Sequence, residues 1–267
     1  MIIISGSKFR LKIYLLILAF AFVAPFLVKS LFANVDEVVV NSPCYIALII
    51  DDFGNKSHGT QEFLDLEIKY TAAVMPGLLF TKDDCEKLIS KNKEIILHMP
   101  MEPHYGKKSW LGEKALTSDL SDEKIKKNII ESLKDIRYAI GMNNHMGSKI
   151  MENKHVLDIV FKVANENKLI FVDSVTTSKS KAREIAEKYN VKFFKRDIFI
   201  DANSVYQVEK NLKKAIKTAL SKKYCIAIGH VGPAGGKTTA IAIKNICEKF
   251  KNTPLRFITI TELAELF

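Results

Sequence analysis

The sequence predicts an α/β domain, a distorted (β/α) barrel of seven or eight strands. Short apolar runs alternate along the chain with segments whose apolar residues recur three and four positions apart, as parallel strands and the helices between them do. With 267 residues, of which 48% are hydrophobic, the chain can bury the core of one such domain. No internal repeat or proline-rich linker interrupts the pattern after about Pro43.

The strands and helices follow from these runs in chain order. The candidate strands are 45–50, 70–75, 94–98, 138–142, 169–172, 191–194, 225–229 and 256–260. Helical periodicity is clearest over 125–136, 156–163 and 208–220, and Ser121 precedes the first of these as a helix N-cap. Seven or eight strand–helix units in one domain favour a barrel over an open sheet.

The N-terminus differs from the rest of the chain. Lys8, Arg10 and Lys12 precede an uncharged run over 13–28, and acidic residues follow it. This order is typical of a secretory signal peptide or an uncleaved membrane anchor, and it places the remainder outside the cytoplasm. We therefore expect a periplasmic protein with a leader over 1–33, inner-membrane association through residues 11–29, a linker over 34–43 and the barrel over 44–267.

Charge and cysteine content exclude some partners. The net charge is +10, but lysines alternate with acids on the predicted helix faces, so no basic stripe for nucleic acid is formed. A mildly basic surface favours an anionic envelope polymer instead. The four cysteines have neither CxxC nor zinc-knuckle spacing.

Polar residues stand directly after most of the predicted strands. In a parallel barrel the carboxyl ends of all strands meet at one face, so we expect these side chains to converge on one pocket. Two adjacent aspartates at the end of an apolar strand are costly unless a cation or a shared proton relieves them. The residues are Asp51, Asp52, His98, Glu102, Asn144, His145, Asp173, Arg196, Asp197, Asp201 and His230.

This set of side chains indicates metal-assisted hydrolysis of an amide or ester. Aspartate and histidine suit a divalent metal such as Zn²⁺, which polarises a carbonyl and lowers the pKa of a bound water. A carboxylate outside the ligand set can accept the water's proton, and a histidine can protonate the leaving group. Taken singly, each residue also has a structural interpretation: Asp51 as a helix cap, the two histidines as core residues, and Arg196 with Asp197 as an ion pair.

With these residues the chain resembles the divergent polysaccharide deacetylase family, from about Ile46 to the C-terminus. The most specific pieces are IIDDFG, LHMPMEP, NNHMGS, FVDS, RDIFID and IGH. The resemblance implies a distorted barrel in which Asp51 is the catalytic base, Asp52 a metal ligand and His230 the general acid. The family's His-x-x-x-His motif is His98-x-x-x-Glu102 here, so either Glu102 or, preferentially, His145 completes the metal site.

The resulting expectation is an exported, metal-dependent hydrolase that removes acetyl groups from an envelope polysaccharide or peptidoglycan fragment. The alternative is a catalytically degenerate glycan-binding or scaffold protein of the same fold. A third class, the nucleotide hydrolases, is suggested by GPAGGKTT, but Gly232 stands one residue too close to Gly236 for a phosphate-binding loop.

Overall fold

Nine parallel strands form one curled sheet in the computed structural model, which describes residues 38–106 and 111–267. The hydrogen-bonded order is β6-β5-β4-β3-β2-β1-β8-β7, and β9 also pairs with β1. This architecture confirms the predicted fold class. The strands are β1 (Cys44–Phe53), β2 (Thr71–Val74), β3 (Glu94–Met101), β4 (Ala139–Met146), β5 (Ile170–Asp173), β6 (Phe193–Lys195), β7 (Ile198–Phe199), β8 (Tyr224–His230) and β9 (Leu255–Ile258).

The two ends of this sheet, β6 and β7, are consecutive strands separated only by Arg196 and Asp197. The backbone N–H of Arg196 donates to Asp173 at the end of β5, and that of Asp197 donates to Ile226 in β8. One short segment therefore spans the gap between the ends of the curled sheet. Strand β7 is the one that the sequence did not predict, because two residues are too few to carry a periodic signal.

Helices occupy the connections between the strands. They are α1 (Thr60–Leu64), α2 (Thr81–Ser90), α3 (Asp122–Asp135), α4 (Lys154–Glu166), α5 (Ala182–Lys188), α6 (Val205–Lys222), α7 (Gly236–Phe250) and α8 (Ile260–Leu266), with a 3₁₀ turn at Ile150–Glu152. Ser121 caps α3 as predicted, since its side chain accepts a hydrogen bond from the N–H of Lys124. Apolar residues on the inward faces of these helices, such as Ile125 and Ile129, are fully buried.

The barrel interior is apolar along most of each strand and polar at the carboxyl end. Ala47 and Ile49 of β1, Ile96 of β3 and Ile228 of β8 belong to the buried core cluster. Side chains of a strand alternate between its two faces, so the next inward positions are Asp51, His98 and His230. The candidate site is therefore the last layer of the barrel core.

The predictions for the N-terminus are not tested by this structure. The proposed leader over 1–33, its membrane contact through 11–29 and the first part of the linker lie outside the described residues. Within the described ranges, no helix has both the length and the apolar character that a membrane crossing requires. Residues Val40–Phe267 form one compact unit.

Candidate metal centre and acid–base site

Three side chains from three strands converge at the carboxyl end of the barrel: Asp52 from β1, His98 from β3 and His145 from β4. Asp52 Oδ1 lies 3.2 Å from His98 Nε2 and 3.1 Å from His145 Nδ1. The two imidazole nitrogens are themselves 3.1 Å apart. One carboxylate oxygen and two ring nitrogens thus form a nearly equilateral triangle of potential ligands.

This triangle fits a divalent metal. Asp52 Oδ1 is buried and has no hydrogen-bond partner of acceptable geometry among the described residues, despite the two nearby nitrogens. Such an orphaned oxygen requires an explanation, and a cation supplies one. Zinc–ligand bonds are about 2.0–2.2 Å long, which at tetrahedral angles places neighbouring ligands roughly 3.3–3.6 Å apart. The observed separations of 3.1 to 3.2 Å lie just below that range.

Asp52 reaches the triangle because the backbone of β1 is irregular there. Neighbouring residues of a regular strand point to opposite faces, which would separate Asp51 from Asp52. Asp52 instead has a φ of 71°, and the register between β1 and β2 shifts between Ile50 and Phe53. Both carboxylates therefore lie on the same side, at 3.8 Å and 3.2 Å from His98 Nε2.

Asn143 connects His98 to Asp51, the carboxylate outside the triangle. The Nδ1 of His98 lies 2.7 Å from Asn143 Oδ1, and Asn143 Nδ2 donates to Asp51 Oδ1 at 2.9 Å. The amide oxygen can only accept, so the proton of a neutral His98 is on Nδ1 and the lone pair is on Nε2, toward the triangle. Asn143 and Asp51 are both almost completely buried.

The charges of this cluster reinforce one another. Burial opposes ionisation of Asp52, but the imidazoles of His145 and His98 outweigh it and hold the pKa of Asp52 far below its usual range. Burial likewise favours neutral His98, yet Asp51 and Asp52 outweigh it and raise the pKa of His98 above its ordinary value. The pocket therefore has an electronegative character that suits a cation.

A second histidine flanks Asp51 from the other side. The register of β1 against β8 places Asp51 opposite His230, and His230 Nε2 lies 4.0 Å from Asp51 Oδ2. His230 Nδ1 contacts Asp201 Oδ2 at 2.6 Å. Burial alone would lower the pKa of His230, but the hydrogen bond that His230 donates to Asp201 and the charges of Asp51, Asp201 and Asp52 raise it to about 9. His230 is therefore protonated at neutral pH.

The glycine-rich stretch before α7 holds Asp201. Asp201 Oδ1 accepts hydrogen bonds from the hydroxyl of Thr239 at 2.6 Å and from the backbone N–H of His230 at 3.3 Å. A Cβ atom at Gly235 would overlap the Asp201 carboxylate, so only glycine allows this approach. The resemblance to a phosphate-binding loop thus has a different physical cause: the stretch wraps around a carboxylate.

Glu102 does not complete the metal triangle, which corrects one of the two alternatives left by the sequence. Its carboxylate accepts hydrogen bonds from the N–H and hydroxyl of Ser118 and from Lys149 Nζ. Glu102 therefore fastens the loop after β3 to the segment after β4. His145 is the third member of the group that could hold a metal ion.

Asn144 and Asp173 stabilise the loop after β5. The side chain of Asn144 accepts from the N–H of Ser174 and donates to Met146 O, and Asp173 accepts from Val175 N–H and the Ser180 hydroxyl. Both residues face away from the interior because strand side chains alternate. They shape the rim of the site without contacting the triangle.

Arg196 and Asp197 also have structural contacts, and they do not pair with each other. Arg196 donates to the backbone oxygens of Ser174 and Val175, and burial lowers its pKa. Asp197 pairs with Lys222 at 2.6 Å and accepts from the N–H of Ile226, in the lower half of β8. Asp197 therefore contacts β8 at Ile226, several residues before His230.

Sequence reasoning missed three residues of the site. Asn143 lies two positions before His145 and so on the same strand face, a signal that was present in the sequence. Thr239 reaches Asp201 only through tertiary contact, and no local pattern indicates it. Phe199, on the unpredicted strand β7, is 38% exposed, and its ring centroid lies 5.4 Å from that of His230.

Comparisons with known proteins identify the family. The family model described as "Divergent polysaccharide deacetylase" matches residues 48–264. The uncharacterized protein YibQ of Escherichia coli K12 is 31% identical over 190 residues, which are 71% of this chain and 59% of that protein. This chain thus spans less than two thirds of that relative.

Two solved structures show the fold. Protein ATU2773 of Agrobacterium tumefaciens C58 superposes with a TM-score of 0.76 at 16% identity, covering 85% of this chain and 92% of that one. The catalytic domain of the peptidoglycan N-acetylglucosamine deacetylase from Eubacterium rectale ATCC 33656 has a TM-score of 0.51 at 13% identity, covering 85% of this chain and 93% of that one. At these identities, the likeness supports the barrel architecture alone.

Proposed function

This chain belongs to the divergent polysaccharide deacetylase family, and on that premise we propose that it removes acetyl groups from an envelope polysaccharide, using Zn²⁺ held by Asp52, His98 and His145. One observation carries this proposal. Asp51 is a buried carboxylate outside the ligand triangle, and it lies within 4.0 Å of both His98 and His230. A base and an acid therefore flank the metal site, as hydrolysis of an acetyl group requires.

The residues divide the proton transfers between them. The metal, when bound, polarises the acetyl carbonyl and lowers the pKa of the attacking water. Asp51 accepts the proton that the water loses, while Asn143 holds its carboxylate in place. His230 donates the proton that the leaving sugar nitrogen or oxygen needs, and Asp201 orients the ring for that donation. Acetate and the free amine or hydroxyl leave.

Exposed apolar side chains around the site favour a sugar substrate. Phe199 presents its ring beside His230, and the Arg196 guanidinium lies 3.6 Å from the centre of the same ring, which limits its motion. Tyr105 in the loop after β3 is 91% exposed, and Leu79 after β2 is 85% exposed. Exposed apolar side chains on the connections that follow the carboxyl ends of strands are suited to pack against the apolar face of a sugar.

The name of one structural relative supports the proposed substrate class. The Eubacterium rectale protein is a peptidoglycan N-acetylglucosamine deacetylase. We accordingly take a peptidoglycan fragment as the first substrate to test, with chitooligosaccharide as a simpler N-acetylated analogue.

Export to the periplasm, with or without retention at the inner membrane, is part of the same proposal. It is supported by the basic residues before the apolar run over 13–28 and the acidic residues after it. Fractionation of cells that express the full chain should place it outside the cytoplasm, and removal of residues 1–33 should leave it inside. Recovery of the full chain in the cytoplasm would contradict export, but it would have no bearing on the proposed deacetylation.

The decisive experiment compares Asp51→Asn with Asp52→Asn in the full-length protein purified in detergent. Asp51→Asn should retain about one Zn²⁺ per chain and lose acetate release by about 100-fold or more, because it removes the base alone. Asp52→Asn should lose the metal as well. The exposed carboxylate Asp122 provides the matched control, and Asp122→Asn should change neither quantity.

Three results would contradict the assignment. Equal metal loss in both variants would overturn the division of roles between the two aspartates. Absence of metal binding in the unsubstituted protein would contradict the proposed role of Zn²⁺. Saturable glycan binding without any acetate release would favour the degenerate binding protein over the enzyme.

A further inference from the structure

A cleft opens in the barrel wall at the end opposite Asp51. Strand β6 pairs with β5, whereas β7 pairs with β8 only at Ala227 and Ile228. No ladder joins β6 to the first residues of β8 in the described sheet, and a cleft of about 360 Å³ lies between them. Tyr224 begins β8 and His230 ends it, so roughly 20 Å of strand separates this cleft from the acid–base site.

The side chains that line the cleft carry an excess of positive charge. Its lining contains four cationic side chains, of Arg183, Lys192, Lys195 and Lys222, and one carboxylate side chain, of Asp197. Asp197 is already neutralised by Lys222 at 2.6 Å and accepts a further hydrogen bond from Ile226 N–H. Arg183 and Lys192 have no salt bridge with a described residue, and Lys195 interacts with Asp173 of the neighbouring strand only through its charge.

Aromatic rings form the rest of the lining and restrict these cations. The rings belong to Phe193, Phe194, Tyr224 and Phe267. The Arg183 guanidinium lies 5.0 Å from the centre of the Phe193 ring, and Lys192 Nζ lies 5.7 Å from that of Phe194. Because such contacts hold a long side chain against a ring face, less rotamer freedom remains to be lost on binding an anion.

We propose that this cleft binds an anionic sugar, with its phosphate group against the cations and its ring against the aromatic wall formed by Tyr224 and Phe267. The planar guanidinium of Arg183 can form two parallel hydrogen bonds to a phosphate, and the ammonium groups add point charges. The volume is that of a pocket for one small molecule. This proposed sugar-binding site is separate from the site of acetyl hydrolysis, because no residue of the metal triangle or the acid–base pair lines the cleft.

Isothermal titration calorimetry of the full-length protein in detergent tests this assignment. The buffer has low ionic strength and contains EDTA, so the result does not depend on the metal site. Glucose 1-phosphate should bind saturably, and unmodified glucose should not. The double variant Arg183→Ala/Lys195→Ala should weaken binding by about tenfold or more, because each charge-assisted contact is strong at low salt. Lys244→Ala, an exposed lysine of α7 outside the cleft, should stay within about twofold.

The remaining outcomes contradict the proposal. Inorganic phosphate binding as tightly as glucose 1-phosphate would remove the role of the aromatic wall. Absence of saturable binding, or equal affinity in the double variant, would overturn the site. Since the substituted residues are exposed, circular dichroism should show an unchanged fold, and acetate release is not part of the readout.

Discussion

His98 and His230 stand at equivalent places in the barrel and have different environments. Each is an inward-facing residue near the carboxyl end of a strand, and each lies within 4.0 Å of Asp51 Oδ2. The Nδ1 of His98 faces the neutral amide of Asn143, whereas the Nδ1 of His230 faces the carboxylate of Asp201. The partner of the distal nitrogen is the main difference between the two.

This difference supports the two proposed roles, together with the contacts that His98 Nε2 makes with Asp52 and His145. A neutral amide fixes the ring and leaves the Nε2 lone pair available to a metal. A carboxylate stabilises the imidazolium form, and it contributes to raising the pKa of His230 to about 9. Both histidines lie near Asp51, so this neighbour does not distinguish them. The group that contacts Nδ1 therefore helps to indicate the role of each histidine.

The largest expected effect comes from substituting each histidine in turn. His98→Ala should abolish acetate release and weaken Zn²⁺ binding by more than about 100-fold, because it removes a ligand and not merely an outer-shell partner. His230→Ala should keep the metal and lower kcat by about 100- to 10,000-fold, as loss of a general acid does. Metal analysis and acetate release on the same preparations would check both. Loss of metal in His230→Ala would contradict the proposal that His230 is a general acid and not a metal ligand.

The second prediction separates the two hydrogen bonds of Asn143. Asn143→Ala should weaken metal binding by about 10- to 100-fold, because His98 loses the group that orients it. Asn143→Asp can still accept from His98 but no longer donates to Asp51, and it adds a like charge beside it. We expect that variant to keep the metal and lose turnover. If both variants behaved alike in metal titrations, the amide would have only a packing role.

The third prediction changes the partner of His230 from a carboxylate to an amide. In Asp201→Asn the pKa of His230 should fall from about 9 toward the ordinary value near 6.5. Because the acid must be protonated, the alkaline limb of kcat/KM should move to lower pH, with a loss of roughly 30-fold at pH 8. The stabilising effect of this pair is complete below about pH 6.5 and is lost as pH rises through about 9. An unmoved limb in the pH–rate profile would show that another group sets it.

Much of this arrangement could be predicted from the sequence, because barrel strands have local signals. Apolar runs located eight of the nine strands, and the residues that end them marked Asp51, His98 and His230. Alternation along β4 and β5 also explains why Asn144 and Asp173 face away while Asn143 faces inward. Once one side chain of a strand is known to face inward, alternation gives the direction of its neighbours.

Other features depend on contacts distant in sequence. The left-handed backbone at Asp52 follows from a register shift against β2, which no local pattern of β1 reveals. The stretch around Gly235 has the composition of a phosphate loop, yet the group it surrounds is the Asp201 carboxylate, 34 residues earlier in the chain. Only tertiary structure distinguishes these two uses of a glycine-rich turn.

The smallest expected effect tests whether Thr239 acts on His230 through Asp201. Thr239→Val keeps the shape of the side chain and removes the hydroxyl that donates to Asp201 Oδ1 at 2.6 Å. Loss of such a bond costs about 1 kcal/mol, which corresponds to roughly a fivefold fall in kcat/KM. Thr239→Ser retains the donor and should restore the rate. In proton NMR, the downfield signal of the His230 Nδ1 proton should weaken in Thr239→Val and persist in Thr239→Ser, whereas a purely structural role for Thr239 would leave that signal unchanged in both.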